Sequence, residues 1–208
     1  MKERIQKLMD HVKRNPWIPA LLGMGWNLLY AIFNGVLGIV SSSYWYITLC
    51  AFYLVLGLMR LLAVTSDRRK GMPDAAVMRL IGFAMILLAV VISGITLLTI
   101  REQQNPVRDT VTMITIATFT FLLAGLSVRN IIRAYRKPTA LLIILRNISC
   151  AAAVGSMLSL ERGMLGSFGD ASDSFTKVME AVSGAVAFLL LVLMGIGMLR
   201  MAKHRSIR

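Results

Sequence analysis

A chain of 208 residues that is 57% hydrophobic, with a mean hydropathy of +0.70, carries more apolar surface than a soluble domain of its length can hide. Its 23 Lys and Arg against 10 Asp and Glu leave a formal charge of +13. In a soluble protein that excess would suggest nucleic acid. Here no soluble domain exists to present a basic face, so nucleic acid is excluded as a partner and the charge is assigned to membrane-flanking loops. The two cysteines, Cys50 and Cys150, both fall inside apolar runs and read as small buried residues, not as a disulfide or metal pair.

Residues 1–16, MKERIQKLMDHVKRNP, place Ile5, Leu8, Met9 and Val12 on one helical face and basic residues on the rest. Two readings stand equally: an amphipathic helix lying on an anionic leaflet, or a solvated tail. The charged region is too long for a signal peptide, and no small-residue cleavage site follows it. Six apolar spans are predicted at residues 17–40, 44–64, 79–100, 110–128, 139–160 and 180–201, each long enough to cross a bilayer. Together they define a transmembrane domain over 17–201, followed by a basic tail at 202–208.

The connections alternate in charge. Lys2, Arg4, Lys7, Lys13 and Arg14 precede span one; Arg68, Arg69 and Lys70 follow span two; Arg129, Arg133, Arg136 and Lys137 follow span four; Arg200, Lys203, Arg205 and Arg208 end the chain. The turn Ser41–Ser43 is uncharged, residues 101–109 balance Arg101 and Arg108 against Glu102 and Asp109, and residues 161–179 hold Glu161, Asp170 and Asp173 against Arg162 and Lys177. Every second connection is basic, so both termini are expected in the cytoplasm, the anionic lipids of that leaflet are expected partners, and the number of spans is expected to be even. The loop 161–179 contains GSFGDASDSF, whose two aspartates suggest calcium, but the full pattern of a calcium-binding loop is absent and an ordinary flexible loop is the better reading. Tyr44, Trp45 and Tyr46 fit an interfacial aromatic belt.

Polar residues inside the spans are the candidate site. Asn27 and Asn34 are seven apart and share a face of span one, with Tyr30 or Ala31 between them. Thr112, Thr115 and Thr118 in span four, and Ser93, Thr96 and Thr99 in span three, form hydroxyl stripes. These are either hydrogen-bonding contacts between helices or a weakly polar path along the bundle centre. Arg60 lies one turn inside span two and is expected to snorkel to the membrane surface. Arg146 and Asn147 lie deeper in span five, ~10 Å of helix from its start, where a guanidinium must snorkel, pair or face a wet cavity. The same span carries a small-residue face of Ser149, Ala152, Ala153 and Ser156, with Ala151 and Gly155 as a small-xxx-small pair, so it is expected at a close helix packing seam.

The predicted spans hold no Asp, Glu or His apart from Glu180, and the two histidines, His11 and His204, lie in the terminal tails. Intramembrane proteolysis and transition-metal chemistry need such groups in clusters, so neither an enzyme, a metal nor a cofactor is expected. The stretch 27–60, NLLYAIFNGVLGIVSSSYWYITLCAFYLVLGLMR, resembles the opening hairpin of cation diffusion facilitators in its asparagine-rich first helix, very short Gly/Ser turn and following helix. The run 137–160 is similar to that family's fifth helix. The resemblance implies a six-helix transporter scaffold. The family's transport-site positions fall at Phe52 and Leu56, and near Ile143 and Asn147, none of which binds zinc in the family manner. Arg60 and Arg146 would repel a cation in that region.

The expected protein is therefore an all-α, polytopic six-helix bundle of a bacterial inner or plasma membrane, with a homodimer an allowed assembly. Its expected function is transporter-like, moving a small anion or polar solute through Arg146, Asn147, Asn27, Asn34 and Arg60. The alternative is a non-catalytic membrane interaction or regulatory protein.

Overall fold

A computed structural model describes residues 17–69, 71–102, 110–136, 139–168 and 174–206. The amphipathic reading of residues 1–16 and the aspartate-containing stretch 169–173 lie outside the described residues. Six helices follow one another: α1 (Trp17–Val40), α2 (Tyr44–Arg69), α3 (Asp74–Glu102), α4 (Thr110–Arg136), α5 (Ala140–Phe168) and α6 (Ser174–Ser206). All six are long and apolar enough to span a bilayer, and no strand occurs among the described residues, so the protein is an all-α membrane bundle. α2 to α6 overrun the predicted spans by one to several turns. A helix satisfies its own backbone, so it continues past the hydrocarbon edge wherever its side chains reach water. The region expected as a loop over 161–179 is thus helical up to Phe168, and the expected tail at 202–208 is helical up to Ser206.

The Ser41–Ser43 turn is a helix C-cap. Ser43 N–H donates to the Gly38 carbonyl at 3.0 Å and Ser42 N–H to the Ile39 carbonyl at 3.4 Å, the paired bonds of a Schellman motif. Ser42 occupies the left-handed position, with φ at 48°. At the start of α5, the Thr139 hydroxyl accepts the Leu142 N–H at 3.4 Å, an N-cap.

Three antiparallel pairs make up the bundle: α1 with α2, α4 with α5, and α3 with α6. In the last pair the backbones nearly touch, because a Cβ at Gly82 would lie 3.0 Å from the Gly195 carbonyl oxygen and one at Gly195 2.9 Å from that of Gly82. Such approach is how lipid-embedded helices gain dispersion energy without a hydrophobic driving force. α5 is the central helix: 67% of its apolar window is buried, against 22–44% for the other five. Its predicted small-residue face is buried throughout, from Ser149 through Ala151, Ala152 and Ala153 to Ser156. Six spans bring both described ends of the chain to one side, hereafter the termini face.

Candidate functional site

Of the two arginines singled out in the spans, Arg60 is the one turned fully inward. Arg60 is 3% exposed, which corrects the snorkelling expectation, whereas Arg146 is half-buried with no hydrogen bond or ion pair among the described residues. The reason lies on α1. A Cβ at Gly23 would sit 1.5 Å from Nη1 of Arg60 and 2.8 Å from its Cζ, so the missing side chain is the space that the guanidinium fills. Arg60 Nη2 donates to Ser149 Oγ on α5 at 2.8 Å, and the same oxygen accepts from Asn130 Nδ2 on α4 at 2.6 Å. Four helices therefore meet at one guanidinium. Its Nε finds no partner, and neither does the buried Nε of Arg129. Arg129 acts electrostatically on Arg60, and Arg133 lies within the same field. No carboxylate among the described residues faces Arg60.

Deeper in the bundle lies a neutral polar stripe. Asn27, Tyr30 and Asn34 share the inner face of α1 and are fully buried. Asn34 Nδ2 donates back to the Tyr30 carbonyl at 2.7 Å, both amide atoms of Asn27 have no hydrogen-bond partner, and the Tyr30 hydroxyl has the side chains of Ser159, Asn34 and Thr120 around it. Tyr53 donates to the Ala152 carbonyl at 3.0 Å, and Thr120 donates to the Ser156 carbonyl, also at 3.0 Å. Aromatic rings surround the stripe: Tyr30 packs edge-on to Tyr53 at 4.6 Å and against Phe119 at 4.8 Å. Asn147 is also buried on α5. Phe52 and Leu56 are buried as apolar packing where α2 meets α5.

Thr115 and Thr118 donate to the carbonyls four residues earlier in α4, and Thr96 does the same in α3. Their bonding is local to their own helices. On α4 the buried polar residues are Thr120 and Ser127, alongside the apolar Ile116, Leu123 and Ala134.

At the opposite face a third cluster forms, whose Arg162 and Trp45 sequence reading placed in a loop and an aromatic belt. Arg162 is 6% exposed, lies 3.9 Å from Glu180 of α6, and stacks over the Trp45 ring at 4.7 Å from its centroid. Trp45 and Tyr46 are buried, and Tyr44 alone of that trio is exposed, as a belt residue should be. Glu161 and Ser183 border the same cluster. Gly23, Arg129, Asn130 and Arg162 were all missed as site residues. One available signal was that Gly23 and Arg60 stand at nearly equal chain distances from the Ser41–Ser43 turn, which sets them opposite each other in a hairpin.

Among the described residues no group of three or more His, Cys, Asp or Glu is placed to hold a metal ion. A hollow of about 460 Å³ opens between α2 and α3, but its lining, including Leu58, Leu61 and Leu80, is apolar and faces outward, away from both polar clusters. The chain matches no protein-family model and no curated protein at a significant level.

Proposed function

We propose that this membrane protein is transporter-like and carries a small polar or anionic solute through the interior formed by α1, α2, α4 and α5. The observation that carries the reading is the fully buried polar stripe of Asn27, Tyr30, Asn34 and Ser159, in which both amide atoms of Asn27 have no hydrogen-bond partner. A buried polar group without a partner costs about 1–3 kcal/mol, and the pair on Asn27 calls for water or solute as the missing partner. The stripe lies between the Arg60 cluster and the Arg162 cluster, so polar groups recur along the bundle from one face to the other. The charge alternation of the loops supports an orientation with both termini in the cytoplasm, which puts the Arg60 cluster on the cytoplasmic side. The resemblance of the first hairpin to cation diffusion facilitators supports a transporter scaffold without that family's metal ligands.

The test is flux. Purified protein in phosphatidylcholine vesicles is exposed to gradients of small carboxylate salts and polyols while vesicle volume is followed by light scattering. Saturable flux above protein-free vesicles, lost in Asn27→Leu, is expected. Flux equal to that of protein-free vesicles across the panel would favour the second reading, a non-catalytic interaction protein. The packed rings of Tyr30, Tyr53 and Phe119 at the middle of the stripe are the observation on that side.

A further inference from the structure

We propose that the guanidinium of Arg60 is a seat for an oxyanion, either a carboxylate or a phosphate group. The inference goes beyond the transport reading and stands without it, because a seat can be filled without flux.

The argument starts from cost. An isolated arginine charge in the bilayer interior costs several kcal/mol, and long side chains normally escape by snorkelling. Arg60 instead turns into the bundle, to 3% exposure. There it meets one neutral acceptor, Ser149 Oγ, which Asn130 already engages. A second positive charge, on Arg129, acts on it, which adds repulsion that no described carboxylate offsets. A buried charge is normally paired. Each of the two guanidiniums holds an unpartnered Nε–H, a strongly directional donor facing no acceptor. An anion seated on the Arg60 guanidinium supplies the missing acceptor and offsets the repulsion.

Geometry selects the kind of anion. A guanidinium presents parallel N–H groups in a plane, matched by two oxygens on one carbon or phosphorus, and poorly matched by a single spherical ion. Gly23 leaves the space into which Nη1 of Arg60 points end-on toward α1, so the fork is held by the fold. The source of the oxyanion is either a dissolved solute or the headgroup of an anionic lipid, and the experiment separates them.

The full chain, purified in detergent and freed of phospholipid, is titrated with sodium phosphate, sodium acetate and phosphatidylglycerol, each against sodium chloride at equal ionic strength, while its melting temperature is followed. The wild type is expected to show a saturable rise with at least one oxyanion and none with chloride. Arg60→Leu and Arg60→Lys are expected to weaken that binding by about tenfold or more, the scale of a lost charge-assisted hydrogen bond. Gly23→Ala is the decisive variant. It keeps both charges but drives the guanidinium off α1, so it should weaken binding comparably, and it serves if Arg60→Leu does not fold. A response to phosphate or acetate assigns the seat to a solute, and a response to phosphatidylglycerol alone assigns it to a lipid headgroup. No saturable response to any oxyanion, an equal response to chloride, or identical responses in wild type and Gly23→Ala would overturn the proposal.

Discussion

A methyl group added at Gly155 would sit 2.7 Å from Cε1 of Phe52 and 3.1 Å from the Tyr53 hydroxyl, and both rings are locked in the core. Gly155→Ala is therefore expected to lower stability by about 1–3 kcal/mol, read from thermal unfolding in detergent. Tyr53→Phe tests the same seam more gently. It removes the donor to the Ala152 carbonyl, which keeps its helical partner, so the loss should be at the low end of about 0.5–1.5 kcal/mol. Single positions were the least legible part of this chain. Asn27 and Asn34 were recognisable because polar amides seven apart stand out in an apolar helix. Arg60 was visible as a residue but not as a buried one, since depth along a helix says nothing about rotation around it. Its direction is decided by an absent side chain on another helix, Gly23. Arg162 was hidden for a different reason: it follows the apolar run, where polar composition imitates a loop although the helix continues.

Between residues and the whole bundle stand the turns and the pairings of helices. Ser42 holds a left-handed conformation that favours glycine, so Ser42→Gly is expected to raise stability by about 0.5–1 kcal/mol with no change in span packing. Glycines along the helices divide into two groups with opposite expected signs. Gly57 and Gly94 have nothing within 4 Å of an added Cβ, so alanine there should be neutral or stabilise by up to about 1 kcal/mol, through helix propensity. At Gly82 and Gly195 the obstructing atoms include a facing backbone oxygen, which cannot rotate away, and at Gly195 the Ile86 side chain lies closer still, so alanine there should cost about 1–3 kcal/mol. Melting curves of the four variants check the contrast. The helices themselves were legible, because long apolar runs separated by polar connections leave little else that a chain can do in lipid. The pairing of α3 with α6 was not, since nothing in either helix marks which glycine faces which.

At the scale of the molecule, topology is the property most open to direct test. In a variant without Cys50 and Cys150, a cysteine introduced at position 172, in the α5–α6 connection, should react with an impermeant reagent added to intact cells, and one at position 69 should not. The reverse pattern would place the termini outside. The pairings also set the order in which the protein can be assembled. α1 meets α2, and α4 meets α5, as soon as each hairpin is inserted. α3 packs on α2 only to a lesser extent, because its Gly82 surface is complementary to the Gly195 region of α6, about a hundred residues later in the chain. At ~5–20 residues per second of synthesis, α3 waits on the order of ten seconds with its seam open to lipid. A nascent chain halted before α6 therefore exposes a small-residue surface able to accept a foreign helix, and membrane quality control should recognise that species ahead of any earlier intermediate. Completion of the sixth helix is the step that closes the protein against its neighbours.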